Sequence, residues 1–172
     1  MSSIKGFIKV GKIKRVIGKI LKPNSTIGVI PKVNVKAEFY NISIGEIVNS
    51  QEMHNLAVLD GRNLIRDFLN GDAVTSLSDF VIGTGSKEVE YSDSALENEV
   101  FRGQITKRIK DNAKLTLYYY LSSIDANGKE LSEVGLVNQD NVLYARVLLN
   151  ETIQKNENIA GTLTWELTWD SI

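Results

Sequence analysis

The chain has 172 residues, 42% hydrophobic and 24% charged, the balance of a one-domain globular protein. It contains no cysteine, which excludes disulfides and thiolate chemistry, and a single histidine, His54, which excludes a multi-histidine metal site within one subunit. No apolar run approaches the ~18 residues of a membrane span or the ~7–15 of a signal-peptide core, so the chain reads as made and folded in the cytoplasm, with no membrane partner.

A formal net charge of −1 hides an asymmetry. Residues 1–37 hold nine Lys or Arg and no acid, whereas the rest carries the other 11 bases and all 21 acids, a net of −10. Such a split fits a nucleic-acid arm, a membrane-surface helix, or an arm that docks on the acidic body of a neighbouring copy. Within the arm, Ile4, Gly6, Ile8 and Val10 alternate with Lys5, Phe7 and Lys9 as in a strand. Ile13, Val16, Ile17, Ile20 and Leu21 recur at helical steps, but Gly11, Gly18 and the β-branched residues favour extended structure. Phosphate binding alone does not require so many aliphatic side chains. Phe7, Ile8, Val10, Ile13, Val16, Ile17, Ile20 and Leu21 are therefore the expected assembly residues, and nucleic acid is the less favoured partner.

Pro23 and Pro31 bracket a loop, after which Val33, Val35, Ala37 and Phe39 alternate as a strand that Ile42 and Ile44 extend. A helix is predicted from Asp60, as N-cap, to Asn70, with Leu64, Ile65, Phe68 and Leu69 as its apolar stripe and Gly71 as C-terminal cap. Strands follow at Asp79–Ile82, Val100–Ile109, Leu115–Leu121, Leu131–Val137, Val142–Leu149 and Leu163–Trp169, with an acidic loop over 86–99 and turns at 111–112, 125–128 and 138–141. In the last strand Leu163, Trp165, Leu167 and Trp169 share one face, expected to anchor the core. The pattern predicts a jelly-roll-like antiparallel β-sandwich over 46–172 with one helix packed on it, preceded by an extended basic arm over 1–45.

No chemical motif stands out. Gly83-Thr84-Gly85-Ser86-Lys87 lacks the spacing and following helix of a phosphate loop, so a tight turn using glycine's positive φ is the better reading. Asp125-Ala126-Asn127-Gly128 starts like a calcium loop but has Glu130 at position six and Leu136 at position twelve. His54 has no partner at a nucleophile-motif spacing. Tyr118, Tyr120 and Tyr144 are candidates for stacking on a sugar ring; strand alternation turns Tyr119 inwards and its neighbours outwards. Neither a cofactor nor a metal is implied.

Several short segments occur in one order: Asn63-Leu64-Ile65-Arg66-Asp67, Phe80-Val81-Ile82-Gly83-Thr84-Gly85, Ser94-Ala95-Leu96-Glu97-Asn98-Glu99-Val100, Glu133-Val134-Gly135-Leu136-Val137, Leu143-Tyr144-Ala145-Arg146-Val147 and Leu163-Thr164-Trp165-Glu166-Leu167. Over residues 55–170 the chain resembles a group of tailed-bacteriophage structural proteins of the tail-fibre or baseplate-associated type. The resemblance implies a non-enzymatic virion component in several copies, whose partners are other virion proteins and copies of itself, and it supplies no catalytic residues. The alternative is a carbohydrate- or receptor-binding module of such a particle.

Overall fold

The computed structural model describes residues 31–55 and 57–169. Among these, nine strands and one helix follow in order: β1 (Lys32–Asn41), β2 (Glu46–Asn55), α1 (Leu59–Asn70), β3 (Leu77–Gly83), β4 (Glu99–Gln104), β5 (Lys107–Asp111), β6 (Lys114–Leu121), β7 (Glu130–Asn138), β8 (Leu143–Gln154) and β9 (Ile159–Thr168). All pairings are antiparallel. One sheet has the order β2-β1-β9-β6-β5 and the other β4-β3-β7-β8. The chain is thus mainly β, two antiparallel sheets packed as a sandwich, as its alternation predicts.

The core follows from period-two alternation read across three adjacent strands. Val35 on β1 stands beside Trp165 on β9, which stands beside Leu117 on β6; the next inward row is Ala37, Leu163 and Tyr119, then Phe39, Gly161 and Leu121. Trp165, Leu117 and Val35 are fully buried. Gly161 is small for a reason: a Cβ there would lie 2.7 Å from Phe39 Cδ1, so the ring occupies the space of a side chain. From the opposite sheet Phe80 meets Tyr119 with ring centroids 5.9 Å apart and Trp165 edge-on at 6.1 Å. Where β2 and β8 form neighbouring edges, the Gln51 side-chain amide donates to Glu151 O at 2.9 Å and accepts the Glu151 N–H at 3.1 Å, standing in for a ladder step between the two sheets.

Several expectations change. β1 is an interior strand of its sheet, with Val33, Val35, Ala37 and Phe39 buried, so the sandwich already includes residues 32–45, expected to belong to the arm over 1–45. Ile42 and Ile44 do not extend β1; residues 42–45 form a turn, closed by Gly45 at φ 71, into β2, a polar strand that alternation does not reveal. The single strand expected over 100–109 is two, β4 and β5, which join different sheets across Ile105 and Thr106. Trp165 anchors the core, but Trp169 lies past the end of β9 and is 39% exposed.

The helix begins two residues earlier than its expected cap implies. Val58 is its N-cap with no side-chain hydrogen bond, so Asp60 sits in the first turn instead, where its charge suits the helix dipole. Gly71 ends it at φ 88, with Gly71 N–H donating to Phe68 O and Asp72 N–H to Asp67 O. Leu64 and Ile65 pack on the core, but Phe68 and Leu69 are 70% and 66% exposed, so the apolar stripe is half used. Close approach to β8 depends on Gly61, where a Cβ would lie 2.0 Å from the Tyr144 carbonyl oxygen. Helix propensity alone favours Gly→Ala by about 1 kcal/mol. Here a backbone carbonyl blocks the methyl, and overpacking of this kind costs about 1–3 kcal/mol. Gly61→Ala is therefore expected to lower stability in urea denaturation; a gain would show that α1 is free to lift from β8.

Candidate functional site

Two groups of polar side chains concentrate the chemistry of the body. The larger lies on the outer face of the β4-β3-β7-β8 sheet. Val134 and Leu136 point into the core, so Glu133 points out; Arg146 likewise lies between the inward Ala145 and Val147. Both are nevertheless inaccessible, Glu133 at 0% and Arg146 at 1% exposure, because the segment 84–98 between β3 and β4 folds back over them. Leu96 from that segment joins Val58, Val81, Val137 and Leu143 in a second apolar cluster, which fixes the cover in place.

The Glu133 carboxylate receives four donors. Gly85 N–H (2.9 Å) and Asn98 N–H (2.8 Å) donate to Oε1, while Glu97 N–H (3.1 Å) and Arg146 Nε (2.8 Å) donate to Oε2. Arg146 continues the network by donating from Nη1 to Asp93 Oδ2 (2.7 Å) and from Nη2 to Lys87 O (2.9 Å). Glu97 accepts from Ser86 N–H (2.6 Å) and Lys87 N–H (2.7 Å); the Lys87 and then the Ser86 amide hold its carboxyl below the usual range. Burial would raise the Asp93 carboxyl, but the Glu90 N–H and the Arg146 guanidinium outweigh it and hold it below its ordinary 3.8. Burial would likewise lower the Arg146 value, and Asp93 and Glu133 together raise it.

This arrangement explains the glycines of Gly83-Thr84-Gly85. Neither has the positive φ expected of a tight turn. Each is small because a Cβ would lie 2.4 Å from Glu133 Oε1. The amides that resemble a phosphate cradle do bind anions, but the anions are the chain's own carboxylates.

The second group inverts the charges. Lys155, at 0% exposure, donates from Nζ to Ser123 O (3.1 Å), Asn127 Oδ1 (2.8 Å) and Asn156 O (3.0 Å). Burial pushes its pKa below the ordinary lysine value, against the pull of Asp125 and Glu157. Asp125 Oδ2 meanwhile accepts Ser122 N–H at 2.8 Å and the Tyr119 hydroxyl at 3.3 Å. One oxygen of the calcium-like turn, Asn127 Oδ1, thus joins two backbone carbonyls around an internal ammonium. Among the described residues no group of three or more His, Asp or Glu gathers as a metal site.

The candidate tyrosines separate. Tyr118 and Tyr120 face outwards from β6 as predicted, opposite Thr164 and Thr162 of β9. Tyr120 is 49% exposed, whereas Lys107 Nζ lies 5.8 Å from the centre of the half-buried Tyr118 ring. Tyr144 is not a stacking residue: it is 4% exposed, its hydroxyl has no hydrogen-bond partner among the described residues, and burial pushes its phenol up to about 12. The assembly residues Phe7, Ile8, Val10, Ile13, Val16, Ile17, Ile20 and Leu21 lie outside the described residues.

Two surface features were not anticipated. A concavity of about 360 Å³ is lined by His54, Val58, Arg62, Glu90 and Tyr91 among others, with Arg62 stacked 4.8 Å above the Tyr91 ring and donating from Nε to Ala57 O at 3.0 Å. The other is the β1–β2 turn, where Ile42, Ile44, Ile47 and Val48 are 50–63% exposed. Alternation places Ile42 and Ile44 inside a strand, and only the turn at Gly45 reveals that they protrude. No family model, curated protein or solved structure matches the chain.

The Glu133–Arg146 pair yields two predictions. Glu133→Ala, which leaves a buried guanidinium and three amides without their acceptor, is expected to lower unfolding free energy by about 3–5 kcal/mol in urea. Arg146→Ala should do comparable damage, and the double variant should lose clearly less than the sum, because both changes remove one network. Independent, additive losses would show that the pair is not a unit. Asp93, with its depressed folded value, contributes stability that is present above pH 3.8 and lost as pH falls through that lower value. Asp93→Asn should remove this part of the acid sensitivity, seen as a flatter decline of urea midpoint with pH; an unchanged decline would place it elsewhere.

Proposed function

We propose that this chain is a non-enzymatic structural component of a tailed-phage particle, of tail, baseplate, neck or fibre, which joins other virion proteins and copies of itself through its basic arm and the surfaces of its β-sandwich. One observation carries the reading: the polar groups that could act on a ligand hold the fold together, whereas aliphatic side chains stand in solvent at the hydrogen-bonded β1–β2 turn and the start of β2. Glu133, Arg146 and Lys155 are buried and fully engaged. Ile44 and Ile47 are 63% and 60% exposed. A protein that works by contact has use for such a surface.

The segments that carry the resemblance support the same reading from another side. Gly83 and Gly85, Glu97 and Asn98, Glu133 and Arg146 come from four of them and meet in one hydrogen-bonded cluster. Their common task is to build a body. The carbohydrate- or receptor-binding alternative has less support, because of its three candidate rings Tyr144 is buried and Tyr118 lies beneath Lys107. Glycan-array binding lost on Tyr120→Ala would favour that alternative.

Because β1 starts at Lys32, a truncation that tests the arm must stop before Pro31. A chain lacking residues 1–30 is expected to keep its strand-rich circular dichroism and to be missing from purified particles, as measured by mass spectrometry of their proteins. Normal incorporation of the truncated chain would remove the arm from the account.

A further inference from the structure

We infer that the β1–β2 turn is the seat for the basic arm of a second copy of this chain. The inference rests on the contact role proposed above and names its partner surfaces. Single exposed aliphatics are ordinary on protein surfaces, but Ile42, Ile44, Ile47 and Val48 lie within seven residues and are each at least half exposed. The turn is also prebuilt. Ile42 N–H donates to Asn158 O at 2.8 Å, Ser43 Oγ to Asn158 Oδ1 at 3.1 Å, and Gly45 N–H to Asn41 O at 2.9 Å.

Charge selects the occupant. From Ala37 to Gly61 the chain has no Lys or Arg, and Glu46 stands in the patch itself. The β8 and β8–β9 segments beside it add Glu151, which accepts from Asn49 Nδ2 at 2.9 Å, and Glu157, next to the Asn158 that holds the turn. The lysine of that segment, Lys155, is buried and engaged internally. The patch is therefore aliphatic, carries Glu46 within it, and has Glu151 and Glu157 on the segments that hydrogen-bond to it. Residues 4–22 are its complement, Ile, Val, Leu and Phe interleaved with seven bases and no acid. The other exposed apolar group, Phe68 and Leu69 on α1, shares its helix with Arg62 and Arg66 as well as Asp60 and Asp67, and offers no such match.

β1 runs from Lys32 to Asn41, so its two ends lie roughly 30 Å apart, with the turn at the Asn41 end. The arm of one copy seated on the turn of the next is a head-to-tail contact, which repeats into a ring where the rotation closes and a filament where it does not.

The test uses the full chain and sedimentation over a range of concentrations. The unaltered chain is expected to self-associate, less strongly as salt screens the charges. Ile44→Asn with Ile47→Asn changes the seat and Ile13→Asp with Ile17→Asp changes the arm; each pair should weaken self-association about a hundredfold, with unchanged melting of the body. Mixing the two variants should restore a 1:1 complex, because one keeps a sound arm and the other a sound seat. A seat variant that associates like the unaltered chain overturns the inference, as does a mixture that stays monomeric. An unaltered chain that is monomeric throughout also overturns it, and leaves the contact role to be judged separately by incorporation into particles.

Discussion

The ion pair between Glu133 and Arg146 is the constraint on which the rest of the body depends. Two full charges at no more than 1% exposure are tolerable only when every partner is in place, because stripping a charge of water without replacing the hydration costs several kcal/mol. The carboxylate therefore requires Gly85, Glu97 and Asn98 to present their amides, and the guanidinium requires Asp93 and the Lys87 carbonyl. Those five residues lie on the segment between β3 and β4. A loop that would otherwise wander is thereby pinned across the sheet. Leu96, carried with it, seals the outer faces of Val81, Val137 and Leu143 and lets β7 be buried along nearly its whole length.

Specificity rather than raw stability is what such a network contributes, since an apolar replacement of similar shape can be neutral or better. What it does impose is uniqueness. A methyl group at Gly83 or Gly85 collides with the carboxylate, so the β3 exit admits one packing. Lys155 plays a matching part beside the start of β7, drawing the turns at 122–128 and 155–158 around one ammonium. Features that imitate ligand sites in the sequence are thus satisfied from within. Aliphatic side chains are left in solvent at the β1–β2 hairpin end, beside Glu46, and Phe68 and Leu69 are left exposed on α1.

Legibility followed the strength of each local signal. β6 and β9 were readable because Leu117, Tyr119, Leu163, Trp165 and Leu167 alternate across a sheet with one face inwards. β2 was not, because only Gln51 and Met53 of its ten residues are buried and its pairing is dictated by β1. The break between β4 and β5 is a tertiary choice: Ile105 N–H donates to Ser78 O while Thr106 N–H donates to Tyr118 O, so consecutive residues bond to different sheets. The helix stripe overpredicted burial, since a heptad-like pattern records which residues share a face but not how far the partner surface extends. The roles of Glu133 and Arg146 were visible only as charges inside apolar runs, and nothing local in a sequence tells which distant amides will answer them.

The central claim is that the turn carrying Ile44, Ile47 and Val48 is covered when the protein is at work. Hydroxyl-radical footprinting reads side-chain accessibility directly, comparing the isolated chain with the assembled particle. The account predicts strong protection of these three residues on assembly, alongside Tyr144 and Leu136 that are shielded in both states. Equal labelling of Ile44, Ile47 and Val48 in the free and assembled protein would contradict it.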